Sequence, residues 1–494
     1  MSVRLPPRPG EWIDRTRRLA FRFEGRDYAG FAGDVVSSAL WATGVRVLGR
    51  SFKYHRPRGL LSFANHDSNA LFEDAAQMNL RADVTPLVAG MNLYAVNTLG
   101  GVARDRMRLA DAFGAVMPVG FYYKAFHRPR WAADYWETFF RHLSGLGRVR
   151  RDRQRRRTAK RSASIDVLVI GAGPSGLSAA IAAAEAGAAV LLVDENARPG
   201  GRLTYAHGGA DAGRAQLAAL LARAAQLPNL EIRCATLAAA YYADHYVPLV
   251  DAARLTRLRA RAVVVASGAI EQPAVFANND LPGIMLGSAA QRLIHRYAVR
   301  PMQRAVVLAA NADAYGVALD LRGAGVEVAR VVDLRAGGES GPLAARIAAA
   351  GIAVQSHACI VAAQRRGDGL AAVTVCGLNA NGQPSGPPET IACDGVAMSV
   401  GVAGDLALLR QAEARLEYDA GLEQFVPAEL PAGVFACGRV NGVHALADAA
   451  LDGTRAGRAA AASLGFAAAP LAAPRRGGDA AHLYPIVGGA AGKA

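Results

Sequence analysis

The residues best equipped for chemistry in this chain are three glycines and an acid. Gly171, Gly173 and Gly176 lie in Ile165-Asp-Val-Leu-Val-Ile-Gly-Ala-Gly-Pro174-Ser175-Gly-Leu177, and Asp194 closes Val190-Leu-Leu-Val-Asp-Glu195, 23 positions after Gly171. Backbone N–H groups at the opening of a helix, with the positive end of its dipole behind them, make a seat for phosphate oxygens. Gly171 permits the tight turn out of a strand, Gly173 lets a diphosphate approach the backbone, and Gly176 lets the helix pack close to the sheet. A carboxylate at Asp194, with Glu195 beside it, can accept hydrogen bonds from both hydroxyls of an adenosine ribose and repels a 2'-phosphate. The pattern is a dinucleotide-binding unit. FAD and NAD both satisfy it, because both carry a free ribose diol.

Several other segments must hold this turn in place. Val263-Val-Val-Ala-Ser267-Gly268 reads as a buried strand ending in small residues that pass beneath ribose and diphosphate. Gly433-Val-Phe-Ala-Cys437-Gly438-Arg439 repeats that design beside a helix start, and Gly200-Gly201-Arg202 places a guanidinium near a phosphate or ribityl edge. The expected site is therefore Gly171, Gly173, Pro174, Ser175, Gly176, Asp194, Glu195, Gly201, Arg202, Ser267, Gly268 and Gly438. No metal-ligand spacing and no catalytic constellation stand out. His55, His245 and His295 have no acidic partner at short spacing and read as structural.

A second strand, turn, helix and strand follows at Arg304-Ala-Val-Val-Leu-Ala-Ala310-Asn-Ala312-Asp-Ala-Tyr315 and Val328 to Asp333, with the same 23-residue interval from Ala310 to Asp333. Alanine, alanine and tyrosine stand where a working fingerprint has glycines, so the fold is kept while a diphosphate is pushed out.

These pieces predict an α/β, glutathione-reductase-like fold with two dinucleotide-binding domains, preceded by a small β-grasp (ferredoxin-like) domain without a cluster. The expected divisions are 1–115 for the β-grasp domain and 116–163 for a helical connector and basic linker. The first dinucleotide-binding domain then takes 164–300 and 394–465, the degenerate second one 301–393, and a flexible tail 466–494. The aromatic helix Trp131 to Leu143 is expected to dock on the nucleotide domain.

Composition narrows the setting. A chain of 494 residues that is 52% hydrophobic can bury several cores. The net charge of +15 is concentrated between Arg148 and Arg161, with nine Arg or Lys against one Asp and no aromatics among them, which predicts a linker and no nucleic-acid partner. Five cysteines without CxxC spacing point to a reducing, cytoplasmic compartment, and no apolar run is long enough to predict a membrane span.

Beyond these patterns, Gly49-Arg-Ser-Phe-Lys-Tyr-His-Arg-Pro-Arg-Gly59, Gly120-Phe-Tyr-Tyr-Lys124, Ala269-Ile-Glu-Gln-Pro273, Asn279-Asp-Leu-Pro-Gly-Ile-Met-Leu286 and His295-Arg-Tyr297 carry a resemblance. From about residue 20 to 465 the chain resembles the N-terminal half of the α subunit of heterotetrameric sarcosine oxidase and related amine and proline dehydrogenase subunits. The resemblance implies an α-type subunit of a flavin-dependent amine or imino-acid oxidoreductase. It also implies a β-type flavoprotein partner that carries the amine site, further small subunits, FAD or NAD at the intact site, and FMN at a subunit interface. Relatives with a [2Fe-2S] cluster take thiolates from the loop after the first helix. Arg50 to Asn69 contains no cysteine, and the first in the chain is Cys234, so no iron-sulfur cluster is expected. Two other functions remain open from sequence: a non-catalytic nucleotide-bound scaffold, and a stand-alone NAD(P)H-dependent flavin reductase.

Overall fold

The computed structural model describes residues 3–116, 126, 128–144, 157–207 and 213–477. The Gly120 to Lys124 string, most of the basic linker and the last residues of the chain lie outside that set. The chain begins with the hairpin Asp14–Phe23 and Arg26–Ala32, turned at Glu24 and Gly25, both with positive φ. Phe21 and Phe23 point inward, and Arg22 between them pairs with Asp27 on the exposed face. The helix Val36–Ala42 is buried along its whole length. Its sheet runs Arg26–Ala32, Asp14–Phe23, Asn92–Ala95, Leu71–Glu73, Leu80–Arg81, with Asn92–Ala95 parallel to the first strand, which is the β-grasp arrangement.

Strand Ala159–Ile170 is the centre of the first dinucleotide domain, flanked by parallel Val190–Val193 and Arg254–Val265. Both central strands end in fully buried valine, leucine or alanine residues, as expected of parallel strands covered on both faces. The second half of Arg254–Val265 also pairs with Val434–Ala436, which brings the end of the chain back into this sheet. The helix Leu446–Ser463 then crosses Pro174–Glu185 so closely that Gly453 and Gly457 lie against the Ser175 and Ala179 carbonyls.

The second domain is a parallel sheet in the order Ile284–Leu286, Gly395–Ser399, Arg304–Ala309, Glu327–Asp333, Val354–Ser356. A three-stranded antiparallel sheet, Ala358–Arg366, Gly369–Leu378 and Pro384–Ala392, lies between its strands in sequence. Gly395–Ser399, expected to begin the return to the first domain, is instead a central strand of the second, and Ile284–Leu286 joins it there. A fully buried small-residue strand carries no mark of which sheet it enters. The return comes at Val402–Gly404, paired with Ala269–Glu271 in a two-stranded connector between the domains.

The β-grasp domain is packed against this second domain. Trp41 donates its indole N–H to the Pro301 carbonyl at 2.9 Å, and one hydrophobic cluster runs from Phe21, Trp41 and Phe72 through Leu293 and Tyr297 to Val307. The basic string between Arg50 and Arg58 is consumed by ion pairs: Arg50 to Asp368 at 2.9 Å, Arg56 to Asp111 at 2.6 Å, and Arg58 to Asp280. The aromatic helix, Arg130–Ser144, does not bury its stripe as expected. Trp131 is 84% and Tyr135 70% exposed, while Trp136 packs on Phe126 and Phe140. Residues 466–477, expected to belong to a mobile tail, include Gly477 bridged to Val443 and Arg476 hydrogen-bonded to the Pro427 carbonyl.

Candidate dinucleotide site

The turn after Ile170 takes the geometry its glycines require. Gly171 has φ +105°, and a Cβ there would run into the Ala266 carbonyl. A Cβ at Gly176 would fall inside the Gly171 carbonyl oxygen, so Gly176 serves close packing between helix and turn. Gly173 is different. It is the N-cap of Pro174–Glu185 with φ −74° and ψ −177°, a conformation any residue adopts, and a Cβ on it meets no protein atom within 4 Å. The freedom at Gly173 therefore serves something other than the fold, and a helix mouth left clear in this way suits a diphosphate.

A cavity of about 500 Å³ opens at this mouth. Among the expected residues, Gly171, Gly173, Pro174, Ser175, Asp194, Glu195, Gly201, Arg202, Ser267 and Gly268 line it. Gly176 and Gly438 do not; Gly438, at φ +75°, sits against Ser175 and accepts no side chain without displacing it. Asp194 is already engaged: Oδ2 accepts from the Ala172 N–H at 2.6 Å, and Oδ1 from the Asn196 backbone and side chain at 2.8 and 2.9 Å. A carboxylate oxygen has two acceptor positions, so a ribose hydroxyl can still be received, and the exposed Glu195 stands next to it on the same wall.

Arg202 is not free to meet a phosphate as expected. Its Nη2 lies 2.8 and 2.9 Å from the two oxygens of Asp313, and Arg439 reaches the same carboxylate at 3.0 Å. Asp313 belongs to the first turn of the second domain's helix, so this triad ties the two nucleotide domains together beside the cavity. Burial alone would raise the Asp313 pKa, but Arg202 and Arg439 outweigh it and hold the acid well below its ordinary value.

The far wall was not legible in the motif. Trp12, Phe63, Asn65, His66 and Asp83 come from the β-grasp side, and Tyr205, Arg292, Arg296 and Tyr297 from the 3-10 turn and helix facing it. Their only trace in the sequence is the four-residue step from Arg292 to Arg296 on one helix face. Burial would raise the Tyr205 phenol, yet Arg292, Arg296, Arg202 and Arg439 together hold it below its usual pKa. Arg296 is lowered to about 10 by burial first and by Arg292 second.

Asp83 is 5% exposed, its Oδ1 has no hydrogen-bond partner among the described residues, and burial, followed by the charge of Asp67, raises its pKa well above the carboxylate range. A carboxyl whose folded pKa exceeds its unfolded value of about 3.9 costs stability as pH rises through that interval, because the unfolded chain ionises first. Asp83→Asn removes this loss. The variant is expected to match the wild type near pH 4 and to melt a few degrees higher at pH 7 to 8, as a thermal melt series would read.

Of the histidines read as isolated, His55 and His295 have acidic partners distant in sequence, while His245 meets the hydroxyl of the nearby Tyr241. His55 Nδ1 lies 2.7 Å from buried Asp105, and Asp320 receives His207 at 2.6 Å, His295 at 3.2 Å and the Gln291 amide at 2.8 Å. In the second domain Tyr315, standing at the third fingerprint position, donates its hydroxyl to Asp333 at 2.8 Å, and Arg335 grips the same carboxylate at 3.0 and 2.8 Å. The acid that would meet a ribose there is fully buried beneath this chain's own side chains.

Two interleaved dinucleotide-binding domains, one with an open mouth and one sealed, define the class: a two-dinucleotide-binding-domain flavoprotein fold. Residues 166–231 match the family model described as FAD dependent oxidoreductase. The chain is a sequence homologue of sarcosine oxidase α subunits over most of its length. It is 36% identical to sarcosine oxidase subunit alpha of Rhizobium meliloti (strain 1021), with 68% of this chain and 36% of that protein covered. It is 30% identical to the subunit alpha of Corynebacterium sp. (strain P-1), with 98% and 48% covered. The chain thus spans between about a third and a half of the length of these relatives. Among solved structures, L-proline dehydrogenase from P. horikoshii superposes with a TM-score of 0.65 at 18% identity, covering 94% of this chain and 77% of that one, which shows the fold.

Residues 16–98 match the model of a 2Fe-2S iron-sulfur cluster binding domain. This corrects the expectation of no iron-sulfur cluster, since the segment falls in a family described as binding one. The donor set is a separate observation: residues 16–98 contain no cysteine, and a plant-type cluster takes four thiolates. In the described structure the loop after the first helix is held by Asp67, which accepts from the Ser62 and Asn69 N–H groups at 2.8 Å, and by the His55–Asp105 pair. These residues do not fit that coordination. Among the described residues no helix is long and apolar enough to cross a membrane.

Proposed function

We propose that this chain is the nucleotide-binding α-type subunit of a flavin-dependent amine or imino-acid oxidoreductase, holding FAD or NAD on the Gly171 to Ser175 mouth. The observation that carries the reading is Gly173, whose missing side chain leaves clear a space that the protein itself does not use. When bound, FAD would supply a two-electron acceptor, while NAD would serve the same mouth with its diphosphate and ribose. This chain's own contribution is to seat phosphates on backbone N–H groups, receive the ribose at Asp194 and Glu195, and wall the ligand from water with the β-grasp domain.

Among the described residues, the lining pairs no nucleophile with a base for amine oxidation. We therefore assign the amine site to a β-type flavoprotein partner, with FMN at the boundary, as the sarcosine oxidase relationship supports. Coexpression with candidate partner subunits tests this. Amine turnover is expected from the complex and not from this chain alone, and brisk turnover by the isolated chain would overturn the assignment. A nucleotide-bound scaffold is the second reading, favoured if the complex transfers electrons while the nucleotide here never changes redox state. A stand-alone NAD(P)H-dependent flavin reductase is opposed by the Tyr315 and Arg335 seal over Asp333; rapid bleaching of the isolated chain by NADH would reinstate it.

A further inference from the structure

Arg292 and Arg296 stand one helical turn apart and face the same phenol, with guanidinium carbons 4.6 and 5.0 Å from the Tyr205 ring centre. Arg296 is also stacked on Trp12 at 4.2 Å and is 6% exposed. Neither forms an ion pair among the described residues. Arg292 donates to the Ser62 carbonyl at 2.7 Å and Tyr205 Oη at 3.3 Å; Arg296 donates to Thr204 Oγ1 at 2.9 Å and the Gly201 carbonyl at 3.3 Å. A cation buried without an ion-pair partner is costly, and the half-buried Arg292 across the same ring repels it. The nearby Arg202 and Arg439 add two more positive charges and use one carboxylate between them. The cluster therefore carries excess positive charge in a cavity wall, which an oxyanion would relieve.

Its position says which oxyanion. A Cβ on Gly201 would lie 2.9 Å from Gly173 Cα, so Gly201 touches the phosphate turn while its carbonyl holds Arg296. The arginine is thus one residue removed from the helix mouth and lines the same cavity. We propose that Arg296, backed by Arg292 across Tyr205, is a further anion-binding element that contacts the ligand's diphosphate beside the helix N-terminus. This deepens the dinucleotide reading and rests on it. It also gives the helix Gly287–Tyr297, which lies outside the glycine motif, a direct part in holding the ligand.

The test uses the full chain freed of nucleotide and inorganic pyrophosphate as probe, read by titration calorimetry and by the rise in melting temperature. Wild type is expected to bind. Arg296→Gln should weaken binding about tenfold or more, the loss expected when a charged hydrogen-bond donor is removed, and Arg296→Lys should recover part of it. If the glutamine variant fails to fold, Arg292→Gln, at a less buried position, is expected to weaken binding in the same direction. Unchanged affinity in both glutamine variants overturns the proposal. Gly173→Ala separates the two ideas. Binding lost in Gly173→Ala but intact in the arginine variants leaves the dinucleotide mouth standing and removes the arginines. Binding lost in the arginine variants but intact in Gly173→Ala keeps the arginine element and removes the mouth. No pyrophosphate binding by wild type overturns both.

Discussion

Replacing Gly173 by alanine is expected to empty the nucleotide cavity while leaving the protein folded. At φ −74° the residue pays no backbone strain as alanine, and the new methyl touches no protein atom within 4 Å. It does occupy open space at the helix mouth, where phosphate oxygens must come within hydrogen-bond distance of the N–H groups. The steric cost and the lost charged hydrogen bonds together are on the order of 3 kcal/mol, about a hundredfold in affinity. The melting temperature of the nucleotide-free protein should move by no more than a few degrees. Gly176→Ala, three positions along, should do the reverse and prevent folding, since its Cβ would overlap the Gly171 carbonyl. One substitution at two glycines of one motif thus separates ligand approach from packing.

The second large effect is expected at Gly457. It and Gly453 are four residues apart on Leu446–Ser463, and a Cβ on either would run into a backbone carbonyl of Pro174–Glu185, Ala179 for Gly457 and Ser175 for Gly453. Backbone cannot turn aside as a side chain can, so the helices must separate along a crossing that also buries Ala456, Ala460 and Ala461. Overpacking of this kind costs about 3 kcal/mol, which for a domain of this size lowers the melting temperature by about 10 °C. Gly457→Ala should show this loss with nucleotide affinity little changed in the fraction that folds. Gly453→Ala should show it together with weaker nucleotide binding, because the displaced carbonyl belongs to Ser175 in the phosphate turn. Thermal melts in the presence and absence of nucleotide would distinguish the two.

Legibility in the sequence followed the range of the interactions. The first fingerprint could be read because all its parts, from Gly171 to Asp194, fall within one local strand, turn and helix whose backbone demands are specific to glycine. The sealed second fingerprint could be read for the same reason, although nothing in its spacing shows Arg335 joining Tyr315 on Asp333. The hairpin at Gly25 and the helix from Val36 fall within the small β-grasp domain expected over residues 1–115. What could not be read was contact between segments remote in the chain. Arg202 looked like a phosphate ligand until Asp313, 111 residues later, claimed it. The string from Arg50 to Arg58 gives no hint of its acids, which come from positions 111, 280 and 368. The assignment of Gly395–Ser399 to the wrong sheet has a related cause, since a short buried strand fits any parallel sheet equally well. The cavity wall from Trp12 to Asp83 is the largest case, because it exists only once the β-grasp domain is set against the helix Gly287–Tyr297.

The most direct measurement of the central claim is the nucleotide released when the purified protein is heat-denatured, identified by mass spectrometry and counted per chain. Wild-type chain is expected to release close to one FAD or NAD, with the 2'-phosphorylated nucleotide absent, and folded Gly173→Ala almost none. Wild-type protein that releases no dinucleotide, or a Gly173→Ala variant that releases as much as wild type, would contradict that claim.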